Sequence, residues 1–75
     1  MVFVDNVKAY CQKNGLSVAA FERKCDVANA VIAQIERGRA KNPAVSTLFK
    51  IQQTTGIDMS YWMKEGGILE YFSTH

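Results

Sequence analysis

Three times in this chain an apolar residue stands just before a helix-capping position and a second apolar residue follows five places on: Leu16 with Phe21, Val27 with Ile32, and Ile57 with Trp62. This is the spacing of a hydrophobic staple, in which the residue before the N-cap packs on the fourth residue of the helix and fixes the entry angle of the chain. Three staples in 75 residues predict a chain that is helical throughout. Two of them fall in residues 16–38, LSVAAFERKCDVANAVIAQIERG, and this stretch constrains the rest. Ser17 is a good N-cap, because its hydroxyl can accept a bond from an orphaned amide of the first turn. A helix therefore starts at Val18 and ends near Lys24 or Cys25, with Asp26 in the turn and Val27 dropping into the core. A second helix runs from Asn29, capped at Ala28, and stops at Gly38, whose access to positive φ suits the position just past a helix end. Two capped helices with almost no linker cross at a steep angle.

On the second helix Ile32 and Ile35 lie three apart and bury on one face, which leaves Asn29, Ala30, Ala33 and Gln34 on the remaining arc. That arc carries small side chains and two carboxamides, with no charge until Glu36 and Arg37. A helix facing only water would more often carry Glu and Lys there. The outward face is narrow, so that something can approach closely.

Leu16, Ser17, Phe21, Val27, Ile32, Ile35, Glu36 and Gly38, followed by Pro43, Leu48 and Ile51, resemble the helix-turn-helix of the Cro/C1-type, or phage-repressor, DNA-binding family. The similarity covers residues 7–62, and residues 17–22 read with 62–67 are most similar to the amino-terminal domains of prophage repressors. The resemblance implies an all-α, lambda-repressor-like fold, a compact bundle of about five short helices around a central helix-turn-helix. It also implies dimeric binding to operator DNA and transcriptional control. The departures from the family pattern carry expectations of their own. Val18 stands where a Gln often contacts phosphate, and Asp26 stands where Gly is common, although Asp tolerates the left-handed region better than most residues. Ala28 replaces the usual capping Ser, a loss of about 1 kcal/mol unless another group caps that end; a carboxylate of Glu22 or Asp26 is expected to do so. Cys11 stands where an Arg often pairs with the Glu that ends the second helix, so Glu36 either turns to Arg39 or stays solvated.

The length predicts a single domain over residues 1–75, with a core over about 4–66 and a tail over 67–75, near the size at which one core is only just sufficient. Hydrophobic residues make up 48% of the chain, enough to exclude disorder. A net charge of +2 permits nucleic-acid binding without demanding it. Cys11 and Cys25 come with no secretory feature and read as reduced thiols of a cytoplasmic protein, Cys11 in the core and Cys25 partly exposed. Two distant cysteines and a terminal, frayed His75 are too few ligands for a metal site. No apolar run approaches the roughly 20 residues of a membrane span. No phosphate-cradling Gly-rich loop, metal-binding helix or nucleophile–base pair is present, so the chain does not read as an enzyme, no cofactor is expected, and no small-molecule substrate is identified.

Residues 1–4 form an apolar lead, Asp5 is the expected cap of the opening helix, and Val7, Tyr10 and Cys11 form its buried face; Asn14-Gly15 ends it. Arg37, Arg39 and Lys41 place three cations in five residues, and no acid follows Glu36 until Asp58. This segregation points to a polyanion more strongly than the net charge does. The next helix is capped by Asn42 on its chemistry or by Ala44 on its spacing, and Val45, Leu48, Phe49 and Ile51 form a broad stripe that closes the core. Asp58 caps a further helix, Trp62 plugs the core, and Gly66-Gly67 breaks that helix. The apolar tail Ile68-Leu69-Glu70-Tyr71-Phe72 either folds back over the last and first helices or pairs with a second subunit, the latter favoured because one head of this size covers a short half-site. The two glycines could equally open a linker to a further domain.

By resemblance, the helix over 29–37 enters the major groove of a double-stranded operator by its amino-terminal half. Asn29 and Gln34 suit the adenine N6/N7 edge, while Ala30 and Ala33 allow close approach and contact with a thymine methyl, which predicts an A·T-containing half-site. Lys13, Ser17, Arg37, Arg39, Lys41 and Asn42 are the expected phosphate contacts, helped by the amide ends of neighbouring helices. The function read is sequence-specific DNA binding by a repressor-like homodimer. The alternative is a partner-binding or antirepressor module of the same fold without DNA binding, since Ala30 to Ala33 between two amides could pack on another helix.

Overall fold

A computed structural model describes residues 2–39 and 42–75, which form six helices and no strand. They are α1 Val2–Asn14, α2 Val18–Cys25, α3 Val31–Glu36, α4 Val45–Thr55, α5 Met59–Trp62 and α6 Gly67–Thr74. The all-helical fold class expected from the sequence is the one observed, with a sixth helix where the tail was expected.

The opening helix begins earlier than its expected cap. Phe3, Val4 and Val7 are all buried, so the apolar residues before Asp5 belong to the inner face of α1 rather than to a lead, and Asp5 sits in the first turn. A carboxylate there complements the amide end of the helix. The next three chain reversals share one solution. Leu16 N–H donates to Cys11 O at 2.9 Å, Val27 N–H to Glu22 O at 3.1 Å, and Arg39 N–H to Gln34 O at 2.9 Å. Each bond spans a left-handed residue, Gly15, Asp26 or Gly38, as the Schellman closure requires. Asp26 fills this role at φ 56° without being glycine, in line with the tolerance expected of it.

The core gathers on Tyr10, whose ring lies 5.4 Å from Phe21, 5.5 Å from Trp62 and 6.0 Å from Phe72. Trp62 is fully enclosed, as a core plug, and its indole N–H donates to Ile57 O at 3.3 Å. Ser17 and Asp58 both cap as expected, accepting from Ala20 N–H and Ser60 N–H at 3.0 Å each. Cys25 departs from expectation: it is 1% exposed, because it lies one helical turn after the fully buried Phe21 and shares the inner face of α2. Burial holds the thiols of both Cys11 and Cys25 above their ordinary pKa.

The stripe expected on α4 buries only in part. Its N-cap is Ala44, with no side-chain bond. Leu48 and Ile51, three apart, face the core, while Val45 and Phe49, four apart, fall on the edge of the helix at 73% and 51% exposure. The tail is helical: α6 lays Ile68 into the core and packs along α1 and α5. His75 is not frayed, since its ring stacks on Tyr71 with centroids 4.2 Å apart. What joins α1, α5 and α6 is the side chain of Asn6. Its Nδ2 donates to Trp62 O at 2.7 Å and Lys64 O at 2.8 Å, with Tyr61 O at 3.2 Å, and its Oδ1 accepts from Ile68 N–H at 3.2 Å. Close approach of α6 to α5 also needs Gly67, where a Cβ would lie 1.9 Å from Tyr61 O.

Candidate nucleic-acid interface

The second helix of the helix-turn-helix starts at Val31, two residues later than expected, because Ala30 adopts a left-handed conformation, φ 65°, and interrupts it. Residues 28–31 form a turn instead, closed by Val31 N–H donating to Ala28 O at 3.2 Å. Ala28 is therefore not the cap, and Ala30, the N-cap by position, has no side chain with which to act. The carboxylate of Glu22 supplies what is missing. Its Oε1 accepts from Ala30 N–H at 3.1 Å and its Oε2 from Ile32 N–H at 3.0 Å, with the side chain 3% exposed. Of the two carboxylates expected to take over the cap, Glu22 does so; the carbonyl of Asp26 instead accepts from Lys50 Nζ at 3.0 Å.

Ile32 and Ile35 anchor α3 from below. Above them Asn29 is exposed on the turn, Ala30, Ala33 and Gln34 are half-buried, and Arg37 and Arg39 are exposed just beyond the helix. Arg37 N–H and Gln34 N–H close onto Ala33 O and Ala30 O, so α3 carries its outward residues as one rigid turn and a half. The outward arc thus holds Ala30, Ala33, Gln34 and Arg37, while Asn29 is set by the turn that precedes the helix.

The expected phosphate contacts are spread more widely. Ser17 is exposed at the start of α2, with its hydroxyl accepting from Ala20 N–H. Lys13 has its ammonium 5.7 Å from the Phe72 ring centroid, which ties it to α6. Asn42 is exposed before α4, and Lys41 lies outside the described residues. Glu36 pairs with neither Arg39 nor solvent alone: its carboxylate is bound by Lys8 of α1. The pair raises the pKa of Lys8 and lowers that of Glu36, each through the hydrogen bond first and the opposite charge second. The cation that the family places at Cys11 is supplied here one helical turn earlier, a substitution the i−3 spacing from Cys11 to Lys8 could have revealed. Lys50, whose ammonium closes the carboxyl end of α2, carries no comparable sequence signal.

Among the described residues no group of His, Cys, Asp and Glu could hold a metal ion, and no helix is long and apolar enough to cross a membrane. A family profile for helix-turn-helix domains matches residues 7–62, from the middle of α1 to the last residue of α5. The chain belongs to the Cro/C1-type helix-turn-helix family. Membership makes it a domain of the DNA-binding, transcription-regulating kind, a family that is not enzymatic. Comparison with curated proteins and with solved structures gives no match. In this helix-turn-helix domain α2 and α3 are the paired helices, and α1, α4, α5 and α6 are their frame.

Proposed function

We propose that this domain binds double-stranded DNA sequence-specifically, as a repressor-like homodimer, with α3 in the major groove of each half-site. The observation that carries the reading is the outward arc of α3. It presents Ala30, Ala33 and Gln34 beside an exposed Asn29, over a helix start whose amides are held by a buried carboxylate. Small residues admit the helix to the groove, and each well-placed carboxamide contributes roughly 1 to 3 kcal/mol of discrimination against the wrong base. Arg37, Arg39, Lys41, Asn42, Ser17 and Lys13 fix the register on the phosphates, which positions the domain without choosing the sequence.

The division of labour has a direct test in two variants. Gln34→Ala should change which base pair is preferred at one position of the half-site. Arg39→Ala should weaken binding to every duplex alike and make the slope of log affinity against log salt shallower by about 1. A uniform loss across all duplexes in both variants would refute it. The exposed Val45 and Phe49 on α4 support a second reading, a partner-binding module. That reading takes over if the wild-type domain binds no duplex at about physiological salt.

A further inference from the structure

We infer that Glu22 is a positioning residue for base recognition, which acts by setting the direction of Asn29 independently of the rest of the reading face. The inference rests on the DNA-binding reading above and assigns it a second level of control. In an unbroken helix from Asn29 onward, Asn29, Ala33 and Arg37 would form one row at i, i+4 and i+8, and Asn29 would point wherever α3 points. Left-handed Ala30 breaks that row, so the orientation of Asn29 belongs to the turn over 28–31. Alanine disfavours this conformation, and its persistence requires the surroundings to enforce it. Among the described residues, the only side chain bonded to the amides of that turn and of the first turn of α3 is Glu22, through one oxygen to Ala30 and the other to Ile32. It is almost wholly buried and reaches from the middle of α2, which makes it a rigid strut rather than a surface contact. The reading face therefore has two units: Ala33 and Gln34 fixed by the packing of Ile32 and Ile35, and Asn29 fixed by Glu22.

Glu22→Gln isolates the second unit. The amide keeps one acceptor oxygen but turns an NH2 donor against a backbone N–H, so one of the two bonds is lost with little change in volume. Ala28→Ser in the same background returns a conventional N-cap and favours a helix that starts at Asn29, which restores stability by a different geometry. Duplexes would be selected from a randomised pool with the wild-type domain, Asn29→Ala, Gln34→Ala, Glu22→Gln and the Glu22→Gln/Ala28→Ser double variant, with melting midpoints recorded for all five. The two alanine variants identify the base pairs read by Asn29 and Gln34. The result expected is that Glu22→Gln loses discrimination at the Asn29 base pair by about tenfold, keeps it at the Gln34 base pair, and retains the wild-type salt slope. The double variant should recover the melting midpoint but not the Asn29 preference. Wild-type preferences in both Glu22 variants, or a loss that recovers together with the midpoint, would overturn the inference. Should Glu22→Gln alone not fold, the double variant carries the comparison. Failure of the wild-type domain to select any motif would instead overturn the DNA-binding reading itself.

Discussion

At the scale of single residues, two buried polar side chains hold the domain together, and they differ in how visible they were. Glu22 was open to inference, because Ala28 leaves the second helix of the motif without the oxygen that the family supplies there. Asn6 was not. An Asn early in an amphipathic helix reads as surface, and its partners lie 55 to 62 residues away at Tyr61, Trp62, Lys64 and Ile68. No local pattern encodes that meeting. Asn6→Ala should cost about 2 to 4 kcal/mol, since it strands several backbone groups that water reaches poorly and each stranded group costs about 1 to 3 kcal/mol. Urea unfolding of the variant would check this, and a change below about 0.5 kcal/mol would show that water replaces the amide. Cys25 makes the converse point: it reads as half-exposed from its place at the end of α2, yet the i, i+4 spacing from Phe21 already puts it on the buried face.

At the scale of elements, helix starts were legible where the capping residue carries its own oxygen, whereas the staple spacing of Val27 and Ile32 pointed to a start two residues early. Ser17 and Asp58 mark the starts of α2 and α5 because a side-chain oxygen at an N-cap acts within three residues. The start of α3 was misplaced because the property that decides it, a left-handed alanine enforced by a carboxylate eight residues earlier, opposes intrinsic preference. The stripe on α4 was read too broadly because i, i+3 and i, i+4 rows look alike in sequence, and only packing against α2 and α5 selects Leu48 and Ile51 over Val45 and Phe49. The cap of α5 also carries a pH signature. Asp58 accepts from both the N–H and the hydroxyl of Ser60, which holds its carboxyl below the ordinary 3.8. As pH falls the unfolded chain takes up this proton first, so the cap stabilises fully above about pH 4.5 and is lost as pH drops through 3.8 toward the folded value. Asp58→Asn should therefore flatten the fall of the melting midpoint below about pH 4, leaving the share that Glu36 contributes by the same sign. Parallel midpoint curves for variant and wild type would contradict the assignment.

At the scale of the whole molecule, α6 completes a frame that the paired helices alone would lack. It packs on α1 and α5, places Ile68 in the core, and is locked by Asn6 and by the close approach at Gly67. The apolar density of residues 68–72 showed that this segment must be covered, but not by what; the sequence holds no local term that ranks α1 of the same chain above a second copy. The ion pairs Lys8–Glu36 and Lys64–Glu70 neutralise two of the seven acids and leave Arg37 and Arg39 exposed beside α3. A head 33 Å in its longest dimension covers one half-site, which is why a pair of heads is proposed to read two. The central claim is that the arc of α3 selects DNA by sequence, and the most direct test is selection of bound duplexes from a randomised pool at about physiological salt, where phosphate contacts alone bind weakly. The account predicts an inverted repeat with half-site centres about one helical turn, roughly 34 Å, apart and A·T pairs opposite Asn29 and Gln34. A pool that returns no enriched motif would contradict it.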